Sequence, residues 1–66
     1  MFLLIKIDGR INSLDLWSHI EQYQVALTDL EEFSYVHGTV DYASAMKVIG
    51  VCALYGNLSI ELSSPQ

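Results

Sequence analysis

Few side chains in this sequence can move a proton, hold a metal or attack a bond: His19, His37, Cys52, Arg10, Lys47 and the acidic group Asp29, Glu31 and Glu32. Cys52 is the only cysteine, so neither an internal disulfide nor a Cys-x-x-Cys pair can form. It reads as a small apolar side chain of a core or interface. The two histidines fall on different expected elements with no third ligand beside them, and no metal site is expected. His19 lies in the middle of the first expected helix, where the backbone N–H groups are already used and cannot hold a phosphoryl group. It therefore reads as a boundary side chain with one wet nitrogen. His37 reads as a turn residue rather than a ligand or pH sensor. Adjacent carboxylates in a strand point to opposite faces, so Glu31 and Glu32 make no general acid/base pair. They read as a solvated edge that discourages strand-to-strand aggregation. The sequence also lacks a glycine-rich phosphate loop, a Gly-x-Ser-x-Gly elbow and a Ser/His/Asp set. The expectation is a protein that is not an enzyme and needs no cofactor.

The elements that must carry these residues are bounded by the composition. A chain of 66 residues is read as one domain, 1–66. At this size about 60% of the unfolded chain's surface is buried on folding, so the core is thin. With 52% hydrophobic residues, four glycines and one proline, the composition is that of a folded chain. Three basic against eight acidic residues give a net charge of −5. Such a surface repels phosphate backbones and anionic lipids, and neither nucleic acid nor membrane is the expected partner. The opening MFLLIKI is shorter than a signal-peptide core and ends at Asp8-Gly9, from which a cytoplasmic setting is expected.

FLLIKI, from Phe2 to Ile7, reads as a first strand with Leu3, Ile5 and Ile7 on one face and Phe2, Leu4 and Lys6 on the other. Asn12 followed by Asp15 is a helix start, and Leu16, Ile20, Tyr23 and Leu27 form an apolar stripe running to Leu27. Asp29 to Tyr42 reads as a hairpin turning at His37-Gly38, where glycine supplies the positive φ of a tight turn. A second helix is expected from Ala45, capped by Ser44 and ended by a left-handed Gly56. Leu58, Ile60 and Leu62 then alternate with Ser59 and Glu61 in a last strand with one buried face. The tail SSPQ is expected to fray. The fold class is α+β: a β-α-β-β-α-β open-faced sandwich with two helices on one face of a four-stranded sheet.

The second half of the chain, from Ser44-Ala45-Met46-Lys47-Val48-Ile49-Gly50 through Val51, Leu54 and the Leu58 to Leu62 strand, resembles the histidine-containing phosphocarrier protein (HPr) family of the sugar phosphotransferase system. The resemblance covers about half the chain. It implies an HPr-like domain in which the outward part of the second helix docks partner proteins. Val48, Ile49 and Cys52 would then face out, with Val51 and Leu54 turned inward. The family's reactive histidine belongs just after the first strand, where this sequence has DGRINSLDLW with only Arg10 left of the phosphate-handling set. Its regulatory serine aligns with Lys47, and its last helix is missing. The resemblance thus implies a domain that has lost both switches and whose inner sheet face is partly bare.

Periodicity by itself leaves the second helix free to present either Ala45, Val48, Ile49, Cys52 and Ala53 or Lys47, Gly50, Val51 and Leu54 to solvent. Either choice exposes an aliphatic patch, a sign of an interaction surface. The expected function is a non-enzymatic interaction or regulatory module docking through Lys47, Val48, Ile49, Val51, Cys52 and Leu54. Phe2 and Leu4 are expected in a homodimer interface. Two alternatives stand beside it: a working phosphocarrier with His19 as phosphoryl acceptor, and a small ligand- or metal-binding regulatory module of ferredoxin-like topology.

Overall fold

The computed structural model describes residues 1–64. The elements are β1 (Phe2–Asp8), α1 (Ser13–Ile20) with one following 3₁₀ turn (Glu21–Tyr23), β2 (Ala26–Leu30), β3 (Phe33–Thr39), α2 (Tyr42–Cys52) and β4 (Leu58–Ser63). The element order is the expected one, and so is the architecture: a four-stranded sheet with two helices packed on it.

The strands run in the order β2-β3-β1-β4, and every neighbouring pair is antiparallel. Because β1 and β2 are each antiparallel to β3, they are parallel to one another with β3 between them. By the same logic β3 and β4 are parallel with β1 between them. Each helix thus closes a split β-α-β unit, and the two units interlock through the central pair β1 and β3. Leu3, Ile5 and Ile7 of β1, Val36 of β3, Leu16 and Ile20 of α1, and Ala45, Val48 and Cys52 of α2 make one fully buried cluster. Since apolar burial supplies the main favourable term in folding, this cluster is what holds the helices on the sheet.

Four local expectations are corrected. The first helix stops at Ile20 instead of running to Leu27, and Gln24 takes a left-handed φ of 60° that turns the chain into β2. Val25 and Leu27 satisfy a period of two as well as Leu27 satisfies the helical stripe, and pairing with β3 selects the strand. The hairpin turns at Glu31-Glu32, with Leu30 opposite Phe33, and β3 runs straight through His37-Gly38. Glu31 carries the positive φ, 55°, that two-residue hairpin turns demand at their first position. Gly38 has a different duty. It lies opposite Leu3, and a Cβ there would sit 3.1 Å from the Val25 Cα, so the glycine lets the chain before β2 cross closely over β3.

The second helix begins three residues earlier than expected. Asp41, not Ser44, is its cap: the Asp41 carboxylate accepts a hydrogen bond from the Ser44 backbone N–H at 2.7 Å. Val40 and Tyr42, read as strand residues, become a buried linker residue and the first residue of α2. Gly56 does not have a left-handed φ; a Cβ at this position would lie 2.7 Å from the Asp8 carbonyl oxygen. Its role is close approach, and the neighbouring Asn57 carbonyl accepts from the Asp8 N–H. Asn12 caps α1 as expected, accepting from the Asp15 N–H at 3.1 Å.

Candidate functional site

The residues with chemical potential do not converge. His19 sits exposed in the last turn of α1, its Nε2 3.9 Å from the Asp15 carboxylate one helical turn back. His37 is half-buried in β3 between Leu4 and Ala26, on the sheet face away from the helices. Glu31 and Glu32 stand exposed in the hairpin turn, and Arg10 is exposed in the loop before α1. Among the described residues no three His, Cys, Asp or Glu side chains are grouped as a metal ion would need. Cys52 is fully buried, and burial pushes its thiol up to about 11, which keeps it protonated and unreactive at neutral pH.

Asp29 is the best-connected carboxylate. It accepts from Ser34 Oγ at 2.6 Å and Ser13 Oγ at 2.7 Å, tying β2 to β3 and to the start of α1. The Ser34 bond, then the Ser13 bond, hold its carboxyl below the ordinary value. Both of its oxygens are thus committed to structure. The same Ser13 and Asp29 close one end of a cleft of about 460 Å³ between α1 and β2, bordered by Leu14, Trp17, Val25 and Leu27. Among the described residues lining it, Asp29 is the one charged side chain, and the other polar ones are Ser13, which is bonded to Asp29, and Trp17.

On the outer sheet face Phe2 is exposed, Leu4 is half-buried, and Lys6 lies 4.0 Å above the Phe33 ring. Attraction of the ammonium to the ring quadrupole holds Lys6 flat on the sheet. Phe2 and Leu4 face away from the helices, as the alternation of β1 requires.

The α2 residues named from the sequence separate once burial is known. Val48 and Cys52 have no accessible surface and point into the core, the reverse of the outward orientation that the resemblance implied. The physical reason is that α2 packs over β1, and Ala45, Val48 and Cys52 are the stripe of the helix that closes the core with Leu3, Ile5 and Ile7, with Ile49 and Val51 packing at its sides. Leu54, expected inward, is 84% exposed just past the helix end. Lys47 is exposed on the outward face, and Ile49 and Val51 are half-buried on opposite flanks of the buried stripe.

Those flanks have different neighbours. Tyr55 continues the Val51 flank and donates its hydroxyl to Asp15 of α1, so this flank faces α1. The bond holds the Tyr55 hydroxyl above its ordinary pKa. The Ile49 flank, which also carries Tyr42, Met46 and Ala53, therefore faces away from α1 toward the β4 border of the sheet. There the helix-side residues of β4 are left open: Ile60 is 43% and Leu62 41% exposed, although both share a face with the buried Ile5 and Leu3 they pair with. Tyr42 and Met46 above them are exposed too. The result is an apolar seam between α2 and β4, built from Tyr42, Met46, Ile49, Ile60 and Leu62. The sequence indicated a partly bare inner face, but Tyr42 and Met46 were not among its expected contact residues. Assigning Tyr42 to a strand hid the i, i+4, i+7 row Tyr42, Met46, Ile49 on one helix flank.

No protein-family model, no curated protein and no solved structure matches the chain. Among the described residues, no helix is long and apolar enough to cross a membrane.

Proposed function

We propose that this chain is a non-enzymatic interaction module that binds a protein partner through the seam between α2 and β4. The observation behind the reading is the row of exposed Tyr42, Met46, Ile60 and Leu62 beside half-buried Ile49, uninterrupted by a charged side chain. Contiguous apolar surface of this kind is costly to leave in water and marks contact sites. The HPr-like resemblance supports docking by the second helix, of which Ile49 lies in the seam and Lys47 and Leu54 extend the outward face. Val48, Val51 and Cys52 then act as packing beneath or beside the contact.

The test is binding of Nile red, a neutral dye that fluoresces on apolar surface, by dilute wild-type chain and by Met46→Asp and Ile60→Asp. Both replaced side chains are at least 40% exposed, so the variants are expected to keep their fold by circular dichroism. Dye binding should fall about tenfold or more, because an aspartate desolvates poorly. Undiminished fluorescence from both folded variants would put the contact surface elsewhere.

A further inference from the structure

β4 is an edge strand of the sheet, and among the described residues the row of backbone N–H and C=O groups along its outer side has no strand partner. Its sequence, Leu58-Ser59-Ile60-Glu61-Leu62, alternates apolar and polar residues symmetrically about Ile60. Of the eight acidic residues of the chain, only Glu61 lies on β4. The border of the molecule with the open apolar face thus carries a single charged side chain, and that one lies on the opposite face from Ile60.

Resting on the seam reading above, we propose that the partner is a second copy of this chain, paired antiparallel along β4 about a two-fold axis at Ile60. The antiparallel sense continues the alternation of the whole sheet, and a two-fold perpendicular to the sheet keeps all four helices on one side. Directly opposed residues must share a face, so the pairing can be centred on a residue but not between two. Centring on Glu61 opposes two carboxylates directly, which is destabilising. A centre at Ser59 leaves Leu62 facing Gly56, outside the partner strand. With Ile60 at the centre, Leu58 meets Leu62, Ile60 meets Ile60 and Glu61 meets Ser59, so the apolar residues line one face and no like charges are opposed.

The pairing brings the two seams together. With β1 and β4 of each copy in one sheet, the two β1 strands lie three strand spacings apart, about 14 Å. Helices in direct contact pack at about 8–10 Å. The remaining gap lies over the paired β4 strands and is the width that Met46 and Tyr42 from both copies fill. A stable interface buries roughly 800 Å² per partner, close to a fifth of this chain's 4334 Å². Five strand residues alone do not supply that area, so the α2 flanks are part of the contact and the dimer is a reversible one. Repulsion between two chains of net charge −5 opposes it, and salt should strengthen the association.

The experiment is oxidative cross-linking of Ser59→Cys, Ile60→Cys and Glu61→Cys, with sedimentation velocity of the wild-type chain up to millimolar concentration. Cys52 is buried and protonated, so it stays out of the reaction. Ile60→Cys should form a covalent dimer; Ser59→Cys and Glu61→Cys should each stay uncrosslinked alone but join when mixed. In sedimentation, Ile60→Asp should raise the dimer dissociation constant by about tenfold or more. Efficient cross-linking of Glu61→Cys or Ser59→Cys alone overturns the register. A wild-type chain that stays monomeric, with none of the cysteine variants cross-linked, overturns the second copy as partner. If Nile red binding then still depends on Ile60, the seam reading stands without it; if it does not, the seam reading fails as well.

Discussion

β1 and β4 are neighbours with nearly the same pattern: Leu3, Ile5 and Ile7 on one, Leu62, Ile60 and Leu58 directly opposite on the other. All three β1 side chains are inaccessible, whereas Ile60 and Leu62 keep about two fifths of their surface in water. The side chains face the same way, so the difference is not one of local structure. It arises because β1 is central, with α2 above it and β3 beside it, while β4 is at the border beyond both helices. An alternating strand announces which face it offers; the strand order decides whether anything covers that face.

The largest expected effect is the stability difference between two equivalent truncations. Ile5→Ala should cost about 2–5 kcal/mol through lost burial and a cavity, and Ile60→Ala less than about 1 kcal/mol, measured by chemical denaturation of dilute chain. Equal costs would mean that β4 is covered in the monomer and would break the contrast. Next comes the joint that sets β4 beside β1. Gly56→Ala forces a Cβ against the Asp8 carbonyl and should destabilise by about 1–3 kcal/mol, with faster amide exchange at Asp8 than in the β1 centre.

The opposite border, β2, sharpens the comparison because it is fastened by polar bonds. Asp29→Ala should lower stability by about 1 kcal/mol, discounted for the exposure of the carboxylate. The Asp29 carboxyl is held below its ordinary value of 3.8, so its contribution is present above that pH and lost as pH falls through the lower folded value. The melting-temperature gap between wild type and Asp29→Ala should therefore close in acid, below about pH 4. A gap that persists there would assign the effect to packing rather than to the carboxylate.

The smallest effect concerns the α1-facing flank of α2. Tyr55 is held above its ordinary value near 10, so its bond to Asp15 contributes at neutral pH and is lost as the pH rises through the folded value. Tyr55→Phe should lower the melting temperature slightly at pH 7 and not at all in strong alkali. The Ile49 flank has no such polar tether, and a matching alkaline response there would contradict the assignment of the two flanks.

Much of the architecture was legible in the residues. Asn12 and Asp15 marked the start of α1, the alternation in FLLIKI and NLSIEL gave both strands their faces, and the element order followed. What misled were positions where two local rules agree with the same letters. Leu27 fits both a helical stripe and a strand, and His37-Gly38 looks like a turn when Gly38 serves a close crossing by Val25. The candidate site was half legible: a partly bare inner face could be expected, but not that Val48 and Cys52 turn inward while Tyr42, Met46 and Ile49 line the opening.

Residue types and the periodicities of two and 3.6, which act over a few neighbours, were enough for the α+β class and for the faces of β1 and β4, but not for β2, whose Ala26 and Leu27 read as helix. The tertiary structure alone decided that β4 lies at the border, that α2 shows its Ile49 flank to that border, and that the turn falls at Glu31-Glu32. Those outcomes are set by pairing between residues far apart in the chain, where equal local patterns compete and burial of the whole core selects among them.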